Sequence, residues 1–443
     1  MLALVLAIGS SVASPVQDEL VREGDHFRLV CHYTNEDAAD QGLATVEAIW
    51  PLAAELYGFG SDEDRDLLSV HLYRDENAYA EAEQELTKGA FRRNLAFSHF
   101  GTMSAHVALQ PRLSDKAMAE VGLTAQTLRL LVHEAAHLVR YAHHLNFRSH
   151  PGWLADGAAS WIAERVSKDL DLFKKLEQDP FYSTSLLHVK KLLEHDNLPT
   201  VEAFLLDELG ELTVNERYAV RWLYFRFLIE GKYRVKFRKV ITKARQLGGG
   251  ANFTERLFDE SLRILGKKKL TSIDRDFKKY VKSFEPAWEE IFRTLQCQGE
   301  RWVQAAFGSN AIAWRRKPAG KKYTVAGELT ILPGAIEQMN LFLGRSEQGF
   351  LSVAFKPGSV TLFEYLSSTG DWQSRGFAEC EDVLRGEPFA FSVAIKGSTA
   401  RVAVNGADVI SGEVKTIPLE GPWGLSAQAN AAGIWKLSRA PGL

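Results

Sequence analysis

The spacing of apolar residues changes character near Cys297, so the two parts of the chain must bury their cores in different ways. Between about 166 and 298 the spacing is helical, in residues 172–176, 201–206, 220–228 and 273–292, interrupted by Gly248-Gly249-Gly250. Beyond it, residues 338–344, 350–355, 359–365, 389–395 and 399–404 are short, alternating runs separated by turn residues. A period near 3.6 buries one stripe of a helix, whereas a period of 2 buries one face of a strand. The later runs therefore predict an antiparallel sandwich. Asn405-Gly406 between two such runs predicts a two-residue hairpin.

Ahead of the helical part, strand and helix patterns alternate: a strand at 26–31, a helix at 37–56, a strand at 67–73 and a helix at 76–86. Gly101 marks a turn into a further strand, His106-Val107-Ala108-Leu109-Gln110, before Pro111. The expected fold class is multidomain. An α+β part covers 14–165, a helical part 166–298 and an all-β sandwich 299–443. At 443 residues and 46% hydrophobic content, the chain is long enough for two or three cores. A net charge of -3 implies no nucleic acid, and the basic stretch 232–239 carries apolar residues at helical spacing, as a solvated helix face does.

The chemistry concentrates in His133-Glu134-Ala135-Ala136-His137. Positions i and i+4 share a helix face, so the two imidazoles can hold one metal ion with Glu134 turned towards a water on it. Leu128, Leu131, Val132, Ala135, Leu138, Val139 and Ala142 form a core-facing stripe beside that face, and Thr124 is a candidate N-cap. The plain alternative is a buried helix with two hydrogen-bonded histidines. Catalytic zinc takes three protein ligands and keeps one position open, so a carboxylate is still required. His150-Pro151-Gly152 marks a turn, the segment 153–164 predicts a helix, and Asp156 lies on it.

HExxH followed after eighteen residues by a carboxylate within Trp153-Leu154-Ala155-Asp156-Gly157-Ala158-Ala159 resembles a gluzincin zinc metallopeptidase of the peptidase MA-like group. The resemblance covers roughly the first two thirds of the chain. It implies one catalytic zinc held by His133, His137 and Asp156, and peptide or protein substrates. It also implies that Glu134 serves as general base and then general acid, and that an edge strand just before the metal helix pairs with the substrate backbone. The strand expected in that place is the one ending at Gln110. His99 and His106 receive no role. Asn215-Glu216-Arg217-Tyr218-Ala219-Val220-Arg221-Trp222-Leu223 looks like the family's Y-A-x-x-x-x-L helix, which makes Tyr218 the candidate oxyanion donor and Tyr224 its reserve.

Two positions depart from the family pattern. Asp156 stands where glutamate is usual and is shorter by one methylene, about 1.5 Å of reach. Either the second helix sits closer, as small Gly157, Ala158 and Ala159 would allow, or Glu164 or a water completes the shell. Ser160 stands where some gluzincins carry an acidic residue that orients a histidine ligand. These departures leave a second function open. In it, a weak or inactive peptidase scaffold binds glycans or a cell surface through its sandwich. Under a third, the same site hydrolyses a non-peptide bond.

Residues 421–437 resemble the end of a concanavalin-like or laminin-G-like sandwich, the basis for carbohydrate as an alternative ligand. Trp372, Trp423 and Trp435 are its candidate stacking residues, with core filling the commoner role of such tryptophans. Residues 1–13 read as a signal peptide with small residues at Ser11 and Ala13, although a basic start is missing. Secretion or export to the periplasm or cell envelope follows from that reading. No other stretch reaches the length of a membrane span. Cys31, Cys297 and Cys380 are scattered, and neither a zinc ribbon nor a disulfide follows from them.

Overall fold

The structure, a computed structural model, describes residues 19–60, 66–91, 94–109, 122–143, 150–248, 250, 252–290, 295–298, 301–305, 311–334, 337–414, 416–428 and 431–441. The expected signal peptide, 1–13, lies outside them. No helix among the described residues is long and apolar enough to cross a membrane.

Five strands open the fold: β1 (Leu20–Glu23), β2 (Phe27–His32), β3 (Leu68–Tyr73), β4 (Ala96–His99) and β5 (Ser104–Ala108), in the order β1-β2-β3-β5-β4. β2, β3 and β5 run parallel, while β1 and β4 are antiparallel to their neighbours. The helices are α1 (Glu36–Glu47), α2 (Ile49–Tyr57), α3 (Glu76–Thr87), α4 (Ala125–His143), α5 (Ala158–Asp169), α6 (Pro180–Glu194), α7 (Val201–Leu206), α8 (Val214–Glu230), α9 (Arg234–Leu247), α10 (Phe253–Leu265) and α11 (Leu270–Ser283). Val70, Leu72, Ala105 and Val107 project from one face of the sheet into the core shared with α4, where the predicted stripe from Leu128 to Val139 is buried.

Several expectations are corrected. The helix expected over 37–56 is two helices meeting at Ala48, with Pro51 in the first turn of α2, a position where its missing N–H costs no bond. The strand expected to end at Gln110 ends at Ala108 and is not an edge. β5 lies between β3 and β4, and β4 occupies the edge of the sheet. The helical run expected over 273–292 stops at Ser283, because Pro286 disfavours helical backbone at the residue before it. His106 points away from α4. Its ring stacks 4.7 Å from that of His71, and its nitrogens meet the Tyr73 hydroxyl at 2.9 Å and Ser104 Oγ at 2.8 Å. Burial lowers it to about 3, so it is a neutral structural histidine.

The carboxyl-terminal part is a sandwich of two seven-stranded antiparallel sheets. One runs in the order Asp371–Cys380, Gly358–Leu366, Gly349–Lys356, Met339–Leu343, Gly424–Ala427, Ala311–Arg315, Trp288–Glu290. The other runs Ala407–Glu413, Thr399–Val404, Pro388–Lys396, Lys322–Ile331, Ala432–Arg439, Arg301–Ala305, Leu295–Gln298. The sandwich therefore starts at Trp288 rather than at residue 299. Its first strand is tied to α6 by Ser183 Oγ, which accepts from Trp288 N at 2.7 Å and donates to Trp288 O at 3.1 Å. The hairpin at Asn405-Gly406 is present, with φ of 48° and 83°, the left-handed pair that a type I′ turn requires. Trp423 and Trp435 are core residues, as is common in a sandwich, whereas Trp372 is 51% exposed. Cys31 and Cys380 are free and buried.

Candidate metal centre

α4 carries the two histidines on one face, as their i, i+4 spacing dictates, with His133 Nε2 and His137 Nε2 3.3 Å apart. The second element arrives through Gly152 and a π-helical turn, Trp153–Gly157, that leads into α5. Such wide turns recur at functional sites, and this one holds Asp156. Asp156 Oδ1 lies 3.7 Å from His137 Nε2. Among the described residues, His133, His137 and Asp156 form the one group of three with donor atoms all within 4.8 Å of one another. Donors at 2.0–2.2 Å from a tetrahedral zinc lie about 3.4 Å apart, so two nitrogens and a carboxylate oxygen at these separations fit that ion.

The electrostatics agree with such a donor set. Burial lowers both imidazoles, His137 further than His133, and a neutral ring is the form that can ligate. His137 Nδ1 is buried with no hydrogen-bond partner among the described residues, and Ser160 Oγ stands 3.4 Å from His133 Nδ1, long for a hydrogen bond. Glu134 contributes no donor to the cluster. Burial pushes its carboxyl up to about 8, a hydrogen bond from Ser98 on β4 opposes this, and the negative charge of Asp156 adds to the rise.

Tyr218 lies on α8, whose start is set by a capping box between Thr213 and Glu216. Its ring centroid is 6.2 Å from that of His133. The charge of Asp156, followed by burial, holds its phenol above the ordinary value, so it is a neutral donor at pH 7. Tyr224 is turned elsewhere and donates to Pro199 O at 2.8 Å. Glu164 is also absent from the site, since its carboxylate accepts from Trp222 Nε1 at 2.9 Å and Arg226 Nε at 2.8 Å.

A cavity of about 420 Å³ opens beside His133 and Glu134, walled by Leu130, Ala163, Phe181, Tyr182 and Trp222, with Leu95 just ahead of the edge strand. Arg129 at its wall is paired with Asp179 at 2.6 Å, so the buried charge there is balanced. A larger cavity of about 620 Å³, between Lys174 and the sandwich's Trp302 and Lys436, holds none of the candidate residues. Three groups at the site escaped the sequence reading: Ser98, Arg221 and Asp207. A signal existed for Arg221, which stands three residues after Tyr218 and hence on the same helix face. None existed for the other two.

No protein-family model and no curated protein matches this chain. Solved structures similar to its sandwich include the carbohydrate-binding module CBM66 from Bacillus subtilis, at 12% identity and a TM-score of 0.31 over 34% of this chain and 93% of that one. A Bacillus licheniformis beta-glucanase matches at 6% identity and 0.30, over 35% of this chain and 93% of its own. The Caenorhabditis elegans galectin LEC-6 matches at 14% and 0.24, over 33% and 98%.

Proposed function

We propose that the chain is a zinc-dependent hydrolase of peptide bonds. The observation that carries this reading is the convergence of His133, His137 and Asp156 within 4.8 Å, with the carboxyl of Glu134 on the same helix and outside the donor set. A zinc ion held there supplies Lewis acidity to the scissile carbonyl and makes water more acidic. Beside the charge of a bound zinc, Glu134 would be ionised despite its burial; as a carboxylate it would take the proton from the attacking water and deliver it to the departing amine as the C–N bond breaks. Tyr218 donates a hydrogen bond from its hydroxyl to the developing oxyanion. Among the described residues no strand pairs with the outer side of β4, and an extended substrate can pair there, a role that passes to this strand because it lies at the edge. A bulky apolar side chain of that substrate fits the adjacent cavity, because its walls are mainly apolar and aromatic and its Arg129 is neutralised.

Metal analysis of the purified chain is expected to give about one zinc per molecule. A chelator should abolish cleavage of a peptide library and added zinc should restore it, with the cleaved bonds enriched in flanking aromatic or large aliphatic residues. Peptide cleavage that survives complete removal of metal rules the proposal out.

A second reading, a saccharide bound by the sandwich, is favoured by an aromatic group on one sheet. Trp372 is 51% exposed, lies opposite Tyr365 in the strand register with ring centroids 5.0 Å apart, and stands 5.6 Å from Phe350. Exposed rings of this kind stack on the apolar faces of sugars. Binding on a glycan array should be lost in Trp372→Ala; an array that stays blank for the unaltered chain removes this reading.

A further inference from the structure

The short third ligand raises a question that the site's surroundings answer. Aspartate reaches about 1.5 Å less far than glutamate, so the turn that bears Asp156 must be held close and its carboxylate aimed. Arg221 on α8 donates from Nη1 to Asp156 Oδ2 at 2.7 Å, while Oδ1 is the oxygen 3.7 Å from His137 Nε2. One carboxylate oxygen is thus tied to the protein and the other faces the histidines. Arg221 is itself gripped twice by Asp207, from Nε to Oδ1 at 3.0 Å and from Nη2 to Oδ2 at 2.9 Å. The guanidinium is thus shared between two carboxylates rather than paired with Asp156 alone.

The backbone accommodates this clamp. Gly152 N donates to Asp207 Oδ2 at 2.9 Å, which anchors the turn before the π-helical segment to the same carboxylate. A Cβ at Gly152 would run into the Arg221 guanidinium, and one at Gly157 would stand 2.8 Å from the Arg221 carbonyl oxygen. Both positions lack a side chain where α8 presses against the ligand-bearing turn.

We infer that Arg221, fixed by Asp207, is the positioning residue that lets the shorter Asp156 serve as a metal ligand, an inference that rests on the zinc site proposed above. A carboxylate held this way would offer its untied oxygen to a metal with its direction set in advance, as outer partners of metal ligands commonly arrange.

The test measures zinc affinity of the full chain by competition with a chromogenic chelator, together with the visible spectrum of the cobalt-substituted protein. Arg221→Ala is expected to weaken zinc about 10–100-fold and to change the cobalt bands. A role confined to packing would lower the melting temperature of the metal-free chain and leave both readouts alone. If Arg221→Ala does not fold, Arg221→Lys and Asp207→Asn take its place, since an ammonium lacks the planar fork that grips Asp207 twice while reaching Asp156, and an amide cannot balance the guanidinium; loss of at least about tenfold in affinity is expected for each. Folded variants that keep zinc within about twofold of the unaltered chain and an unchanged cobalt spectrum overturn the inference. His137→Ala separates the two levels. Zinc that survives this change, or an unaltered chain that takes none, overturns the site along with the inference. Zinc lost in His137→Ala but undisturbed by every Arg221 and Asp207 variant overturns the inference alone.

Discussion

Glu134→Gln is expected to lower peptide hydrolysis about 10²–10⁴-fold while zinc content stays at the level of the unaltered chain. Glutamine keeps the size and the hydrogen-bonding reach of the side chain but cannot take up a proton from water. Glu134 lies between the two histidines in sequence yet contributes no atom to the group of three donors, so its loss should leave metal binding in place. The comparison therefore separates proton transfer from metal affinity. It is read from kcat on a cleaved library peptide alongside zinc per chain. An activity that falls only in proportion to zinc would assign Glu134 to the metal shell, and unchanged activity would exclude it as the base.

The second large effect concerns stability. Asp179 is fully buried and has two roles at once. Its Oδ1 accepts from Phe181 N at 3.0 Å and Tyr182 N at 3.2 Å as the N-cap of α6, and its Oδ2 holds Arg129 Nη2 at 2.6 Å. Arg129 is 5% exposed, with its guanidinium over the rings of Phe181 and Tyr182. Asp179→Ala is expected to destabilise the chain by roughly 3–5 kcal/mol for the broken buried ion pair and about 1 kcal/mol for the lost cap. That sum is a large part of the stability of an ordinary domain. Urea unfolding measures it. Asp179→Asn retains a good cap and removes only the charge, so it should cost most of the same amount; a loss below about 1 kcal/mol for Asn would show that the ion pair contributes little. Arg129 also lines the cavity beside Glu134, so the same change would weaken the ion pair at the wall where an apolar substrate side chain is expected to sit.

Much of the fold was legible because it depends on local periodicity. The stripe from Leu128 to Val139 specified both the existence of α4 and the face left for His133 and His137. Alternation identified the strands at Gly349–Lys356, Gly358–Leu366 and Pro388–Lys396, and the left-handed preference of Asn405-Gly406 identified the hairpin. Strands with weaker alternation were missed. Asp371–Cys380 lies at the edge of its sheet and buries a single residue, and Lys322–Ile331 carries Gly327, where a close neighbouring strand leaves no room for a Cβ.

The choice among chemically equivalent side chains was not legible. Asp156 and Glu164 lie on one helical stretch, and either could have completed the donor set by type; packing puts Glu164 between Trp222 and Arg226 and Asp156 beside His137. Tyr218 and Tyr224 share α8, and the face of that helix turned towards α4 decides between them. Arg221 and Asp207 acquire their roles only because α8 and the end of α7 meet at a turn bearing Gly152. The sequence by itself determined what each segment prefers and which side chains share a face, since both follow from bonded geometry within a few residues. Only the tertiary structure decided which strand became the edge, which carboxylate met the histidines and what aimed it. Those contacts join residues tens of positions apart, and their geometry is set by how helices pack, a property of the whole core rather than of any one segment.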